Sequence, residues 1–116
     1  MNVKNWKDVP GVPMGKDVPG VTKRVLVGAD DGAPVFAMRH FEIQPAATSP
    51  YHDHDWEHEV FVVAGEGELV GEDGSLPLKA GDAAYVAPGE KHCLRNSGAE
   101  VFSFLCVVPM RGEAPK

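Results

Sequence analysis

From Thr22 onward, apolar and polar side chains alternate in short stretches broken at close intervals by glycine and proline. A period of two puts successive side chains on opposite faces of a strand. The pattern predicts eight strands, over residues 23–27, 35–43, 58–64, 68–71, 76–78, 83–87, 91–96 and 101–109. Turn signals separate them: Asp31-Gly32, Gly65-Glu66-Gly67, Asp73-Gly74, Gly81-Asp82 and Ser97-Gly98. No window carries a convincing helical period. Short, regularly spaced strands between such turns predict an all-β sandwich or barrel.

Two of these strands are apolar on both faces. Along 58–64, His58, Val60, Val62 and Ala64 share the face expected to look inward, while Phe61 and Val63 lie opposite. Along 101–110, Phe102, Phe104, Cys106 and Val108 alternate with Val101, Leu105 and Val107. A strand of that kind needs cover on its outer side. A two-fold homodimer is the favoured cover, and the chain's own first residues are the alternative. Those residues, 1–21, are punctuated by proline and glycine, and Asp8-Val9-Pro10-Gly11-Val12 recurs as Asp17-Val18-Pro19-Gly20-Val21. Two copies cannot build a solenoid, so they read as similar turns in an extended arm, packed on the barrel or on a partner subunit. Residues 22–116 then form the barrel itself.

A length of 116 residues suits one domain with its own core. With 11 basic and 17 acidic side chains and a net charge of −6, the chain shows no basic stripe, so nucleic acid is not an expected partner. No apolar run is long enough for a bilayer, and the first six residues lack the apolar stretch of a secretion signal, which predicts a cytoplasmic protein. Cys93 and Cys106 form no Cys-x-x-Cys pair, and a disulfide between them has little support in that setting.

The candidate chemistry lies in four of the five histidines. His52, His54 and His58 occur in one run, Tyr51-His-Asp-His-Asp-Trp-Glu-His58, and His92 follows the Pro88-Gly89 turn. On a strand His52 and His54 share a face, and a corner at 55–57 lets His58 open the next strand aimed back at them. Unprotonated imidazole suits zinc, copper, iron, nickel and manganese. Surface histidines, or a polar cluster satisfied by backbone, are the competing readings. Convergence of four favours a metal.

Other groups follow by parity. Arg39 sits among Val35, Ala37, Phe41 and Ile43 and should face into the barrel, as a clamp on a substrate carboxylate or enolate or as the partner of an acid at the mouth. His40 has the opposite parity and is excluded from the metal shell. Phe104 and Cys106 share a parity that admits both to the pocket, although packing is their default role. Cys93, next to His92, faces away. Glu57 and Glu59 flank His58 and could orient its ring, with Glu59 turned to solvent or a dimer partner.

These residues resemble the two histidine motifs of the cupin superfamily. The first motif is met by His52-x-His54, by His58 where glutamate is usual, and by Gly65, with Ala46 at the opening glycine position. The second is met by Gly81, Gly89, His92 and Asn96, with Ala87 at the proline position and Pro88 after it. The chain is especially similar to small microbial members with a four-histidine site, in which Arg39 and Cys106 also find counterparts. The resemblance implies a single-domain jelly-roll barrel. It implies one divalent transition metal per chain at His52, His54, His58 and His92, manganese first, with iron, copper, nickel or zinc also admitted. It implies a small-molecule ligand, anionic by the logic of an ion whose charge four neutral imidazoles leave uncompensated. The activity expected is that of a metal-dependent oxidoreductase using dioxygen or peroxide. A non-catalytic binding module and a Lewis-acid isomerase or decarboxylase are the alternatives.

Overall fold

Strands with one apolar face must bury it against something, and here two antiparallel sheets share one core. The computed structural model describes residues 1–113. Its strands are β1 (Val12–Pro13), β2 (Val21–Val27), β3 (Phe36–Ile43), β4 (His58–Ala64), β5 (Glu66–Gly71), β6 (Gly74–Lys79), β7 (Ala83–Val86), β8 (His92–Asn96) and β9 (Phe102–Pro109). The larger sheet has the order β1-β2-β3-β9-β4-β7, and the smaller one β6-β5-β8. This is the all-β sandwich that the alternation predicts, in the jelly-roll form that the resemblance implies. Val21, Phe41, Ile43, Val62, Phe102 and Phe104 of the larger sheet meet Leu78 and Leu94 of the smaller one.

Where expected and observed strands differ, backbone pairing explains it. The β5–β6 hairpin is paired from Gly71 and Gly74, beside the two-residue turn Glu72-Asp73, back to Glu66 and Lys79, so β5 starts earlier and β6 extends at both ends beyond what side-chain alternation indicates. The chain passes from β4 in one sheet to β5 in the other through Gly65 and Gly67. A Cβ at Gly65 would lie 2.4 Å from the Val101 carbonyl oxygen, and one at Gly67 would lie 2.4 Å from the Phe102 ring. Only glycine lets the two layers close there.

The outer faces are covered unequally. Trp6 stacks on His40 with ring centroids 4.4 Å apart, and Arg24 donates to the Val9 carbonyl at 3.1 Å, so the N-terminal arm lies over β2 and β3. Phe61 on β4 and Tyr85 on β7 remain 48% and 59% exposed. Among the described residues, no helix is long and apolar enough to cross a membrane.

Candidate metal centre

Backbone hydrogen bonds bring the two histidine motifs together. His52 and His54 do not lie on a strand, as their shared parity assumes: residues 50–57 form a loop that bridges the sheets, with His52 in a single isolated bridge to His92. His52 and His92 exchange both backbone hydrogen bonds, at 3.1 and 2.9 Å, and Gly89 donates to the His54 carbonyl at 2.7 Å. Ser49 ties the start of the loop to Leu94 through its backbone N–H and its hydroxyl. The loop can therefore aim His52 and His54 without a pleat, because β8 supplies the missing ladder. His58 opens β4 on the larger sheet, and His92 opens β8 on the smaller.

Each of the four rings has its centroid 4.4 to 5.4 Å from those of at least two others, in tilted or edge-on contact. His52, His54 and His92 each offer one nitrogen, all within 4.8 Å of one another. The His58 Nε2 lies 2.7 Å from the His54 Nε2. His54 Nδ1 lies 3.2 Å from the Trp56 carbonyl oxygen and His92 Nδ1 lies 2.7 Å from that of Glu90. A carbonyl only accepts, so both Nδ1 atoms carry the proton and both Nε2 atoms are bare. Carbonyls holding the far nitrogen in this way are the arrangement metal-bound imidazoles use. His54 and His92 thus present bare Nε2 lone pairs beside His52, and this donor set fits a divalent metal ion. Burial, and then the neighbouring His54, His92, Arg39 and His52, push His58 down to about 3. Burial leads in lowering His52 and His54 as well. These rings are neutral at pH 7, the state a metal requires.

The histidines form one wall of a cavity of about 320 Å³. Phe41, Phe104, Leu94, Trp56 and Met14 make it largely apolar, and Arg39 and Cys106 also line it. Cys106 Sγ accepts from Arg39 Nη2 at 3.3 Å and lies 2.9 Å from His58 Nδ1, so it links the guanidinium to the histidine group. Burial raises the Cys106 thiol, against the pull of Arg39. His40 lies on the outer face under Trp6, away from the cavity. Glu57 and Glu59 are both exposed and do not orient any ring. Backbone carbonyls and a sulfur fill that role, because the loop turns Glu57 outward and alternation along β4 puts Glu59 on its outer face.

Several cavity residues carry no expectation from the sequence, Trp56, Lys23 and Glu113 among them. Trp56 stacks on His54 with centroids 4.5 Å apart and planes only 2° from parallel. Lys23 and Glu113 meet at the mouth. Glu113 sits on the 3-10 turn Met110–Glu113 and accepts from Arg39 Nη1 at 2.7 Å and from Lys23 Nζ at 2.8 Å. Burial pushes the Glu113 carboxyl up, but hydrogen bonds and charge from Lys23 and Arg39 outweigh it and hold the group below its usual value. The pairing of Arg39 with an acid at the barrel mouth is one of the two roles its parity allows.

Comparison with known proteins gives a consistent result. The model of the Cupin domain matches residues 39–108, more than half of the chain. An oxalate-binding protein from Thermotoga maritima is 31% identical over 68 residues, covering 58% of this chain and 56% of that protein. The chain thus spans just over half the length of that relative. The polyketide cyclase RemF from Streptomyces resistomycificus superposes with a TM-score of 0.88 at 30% identity, over 95% of this chain and 80% of that one. A cupin 2 domain-containing protein from Halorhodospira halophila gives a TM-score of 0.74 at 36% identity, over 78% and 65%. A family match spanning both histidine motifs, on a jelly roll that brings those motifs to one cavity, makes this chain a member of the cupin family.

Proposed function

We propose that this cupin holds one divalent metal through His52, His54, His58 and His92 and serves as a Lewis-acid enzyme on a small, oxygen-rich, anionic substrate. The observation that carries this reading is the convergence of imidazole nitrogens on the wall of an apolar cavity of about 320 Å³ that also contains a buried arginine. A bound ion would supply Lewis acidity toward a carbonyl or carboxylate oxygen. Arg39 would orient the substrate's negative charge, and Cys106 fixes both that guanidinium and His58. Phe41, Phe104 and Trp56 would exclude water and pack against the carbon skeleton. Two relatives support this substrate class by name: one binds oxalate and the other cyclises a polyketide. Oxidation at the same site, the activity expected from sequence, is supported by the donor set alone, since neutral ligands favour the lower oxidation state of a redox metal.

The test is to load the protein with manganese or zinc and offer oxalate and linear poly-β-ketone acids under argon and in air. Ring closure with loss of water at equal rates in both atmospheres is the expected result. Oxygen uptake would replace the Lewis-acid reading with the oxidative one, and oxalate bound without any conversion would leave a binding module. Manganese is our first choice of metal on family resemblance, and elemental analysis of protein from its native host decides it. We also propose a homodimer formed over Phe61 and Tyr85, the apolar outer face that the arm leaves bare, to be checked by light scattering. Two buried, unpaired thiols support a reducing, cytoplasmic setting.

A further inference from the structure

We propose that Lys23 and Arg39 form a carboxylate-binding subsite of the histidine cavity, and that Glu113 fills it as a tethered surrogate which an anionic ligand must displace. This rests on the reading above that the cavity takes an anion.

The geometry is that of a bound ligand. One oxygen of Glu113 accepts from Arg39 Nη1 at 2.7 Å, and Lys23 Nζ donates to both oxygens, at 3.0 and 2.8 Å. The side chains of Arg39, Glu113 and Lys23 are only 8%, 11% and 19% exposed. All three line the same cavity as the four histidines. Two cations around one carboxylate, out of bulk water, are what a protein builds to recognise an acid. Here the acid comes from the chain itself.

Its tether is slight. The turn Met110–Glu113 is one short 3-10 segment, attached by the Met110 N–H to the Val35 carbonyl at 3.0 Å. Arg111 adds a 3.5 Å ion pair to Asp55, a 3.3 Å hydrogen bond to the Asp55 carbonyl and a place 5.9 Å from the Trp56 ring centroid, but with the Arg111 and Asp55 side chains 62% and 77% exposed these surface contacts add little. Gly112 lies flat on Trp56, where a Cβ would fall 2.7 Å from the indole Nε1. Lifting the turn uncovers the indole that stacks on His54.

Exchanging one carboxylate for another leaves both buried cations paired, so an incoming acid avoids the penalty of stranding a charge. A neutral ligand has no such compensation, and must enter beside Glu113 or not at all. The surrogate therefore selects for anions as well as competing with them. If the displaced state is populated at about 1–10%, abolishing the competition should tighten anion binding about 10–100-fold.

The experiment uses full-length, metal-loaded protein carrying Trp6→Phe, so that Trp56 is the remaining one of two tryptophans. Benzoate is titrated by calorimetry and by Trp56 emission, with benzamide as the neutral control. Benzoate, and not benzamide, should bind and shift the emission. Glu113→Gln should tighten benzoate at least about tenfold and shrink the emission change, because the turn is already released. Gly112→Ala displaces the same turn without touching a charge and should also tighten binding, so it carries the test should Glu113→Gln fail to fold. Lys23→Met should weaken binding. If benzoate binds the parent and depends on Lys23, yet neither turn variant tightens it, the surrogate role is wrong while the anion reading stands. If benzoate and oxalate bind neither parent nor variants that still hold their metal, the anion reading falls and takes the proposal with it.

Discussion

Replacing His92 with asparagine should remove most of the thermal stabilisation that a divalent metal confers, whereas the same change at His40 should leave it intact. A ligand that binds only the folded state, at a hundred times its dissociation constant, adds about 2.7 kcal/mol. For 116 residues, an unfolding entropy of about 2.1 cal/mol/K per residue turns this into a rise in Tm of roughly 11 °C. His92 supplies one of the three clustered nitrogens, and its ring is locked by the 2.7 Å contact to the Glu90 carbonyl. Losing that nitrogen should weaken the site by at least about a hundredfold, since loss of an outer partner alone costs 10–100-fold. At the same metal concentration the gain then falls to about 0.4 kcal/mol, or roughly 2 °C. His40 is 3% exposed and stacked on Trp6, so His40→Asn should lower the starting Tm but keep the metal increment near about 11 °C. Differential scanning calorimetry of chelator-stripped protein, with and without added manganese or zinc, reads both numbers. The reasoning fails if the His92 variant keeps the full increment, or if the His40 variant loses as much of it as the His92 variant.

Two further outcomes are expected. Ala46 holds a positive φ of 70°, a conformation costing an alanine about 1–2 kcal/mol that glycine escapes at a smaller entropic cost. Ala46→Gly should thus raise Tm by a few degrees in a thermal melt, and a fall would show that the turn is unstrained. Burial lowers the His40 pKa, with Glu42 opposing and Arg24 adding to the effect. The unfolded chain therefore takes up a proton that folded His40 resists, and this group's share of stability is complete above about pH 6.5 and declines as pH falls below it. Trp6→Ala should expose the ring and raise its pKa toward 6.5, read by NMR titration, and an unmoved value would mean that the arm does not shield it.

The fold was legible because alternation survives wherever one strand face is buried. Phe102, Phe104, Cys106 and Val108 show this along β9, all at or below 3% exposure. Arg39 could be read as inward for the same reason, sitting in step with Ala37 and Phe41. Parity failed as a guide at His52 and His54, where the chain leaves the sheet and backbone bonds to β8 and the following turn set direction instead. Trp56 and Glu113 carry no periodic signal, since one lies in a loop and the other on a single 3-10 turn. Gly112 hints at that turn, but only the closeness of the Trp56 indole reveals what it accommodates. Ala46 stands at the glycine position of the first motif, and its positive φ is the physical reason the motif asks for glycine there.

His58 begins a strand of one sheet and His92 a strand of the other, while His52 and His54 hang from the segment strung between them. Any ion they share would act as a rivet through both layers of the sandwich at its open rim. The tightness of such a rivet is then a property of the whole scaffold: a substitution that spreads the layers, even far from the rim, would be felt as a looser grip on the metal.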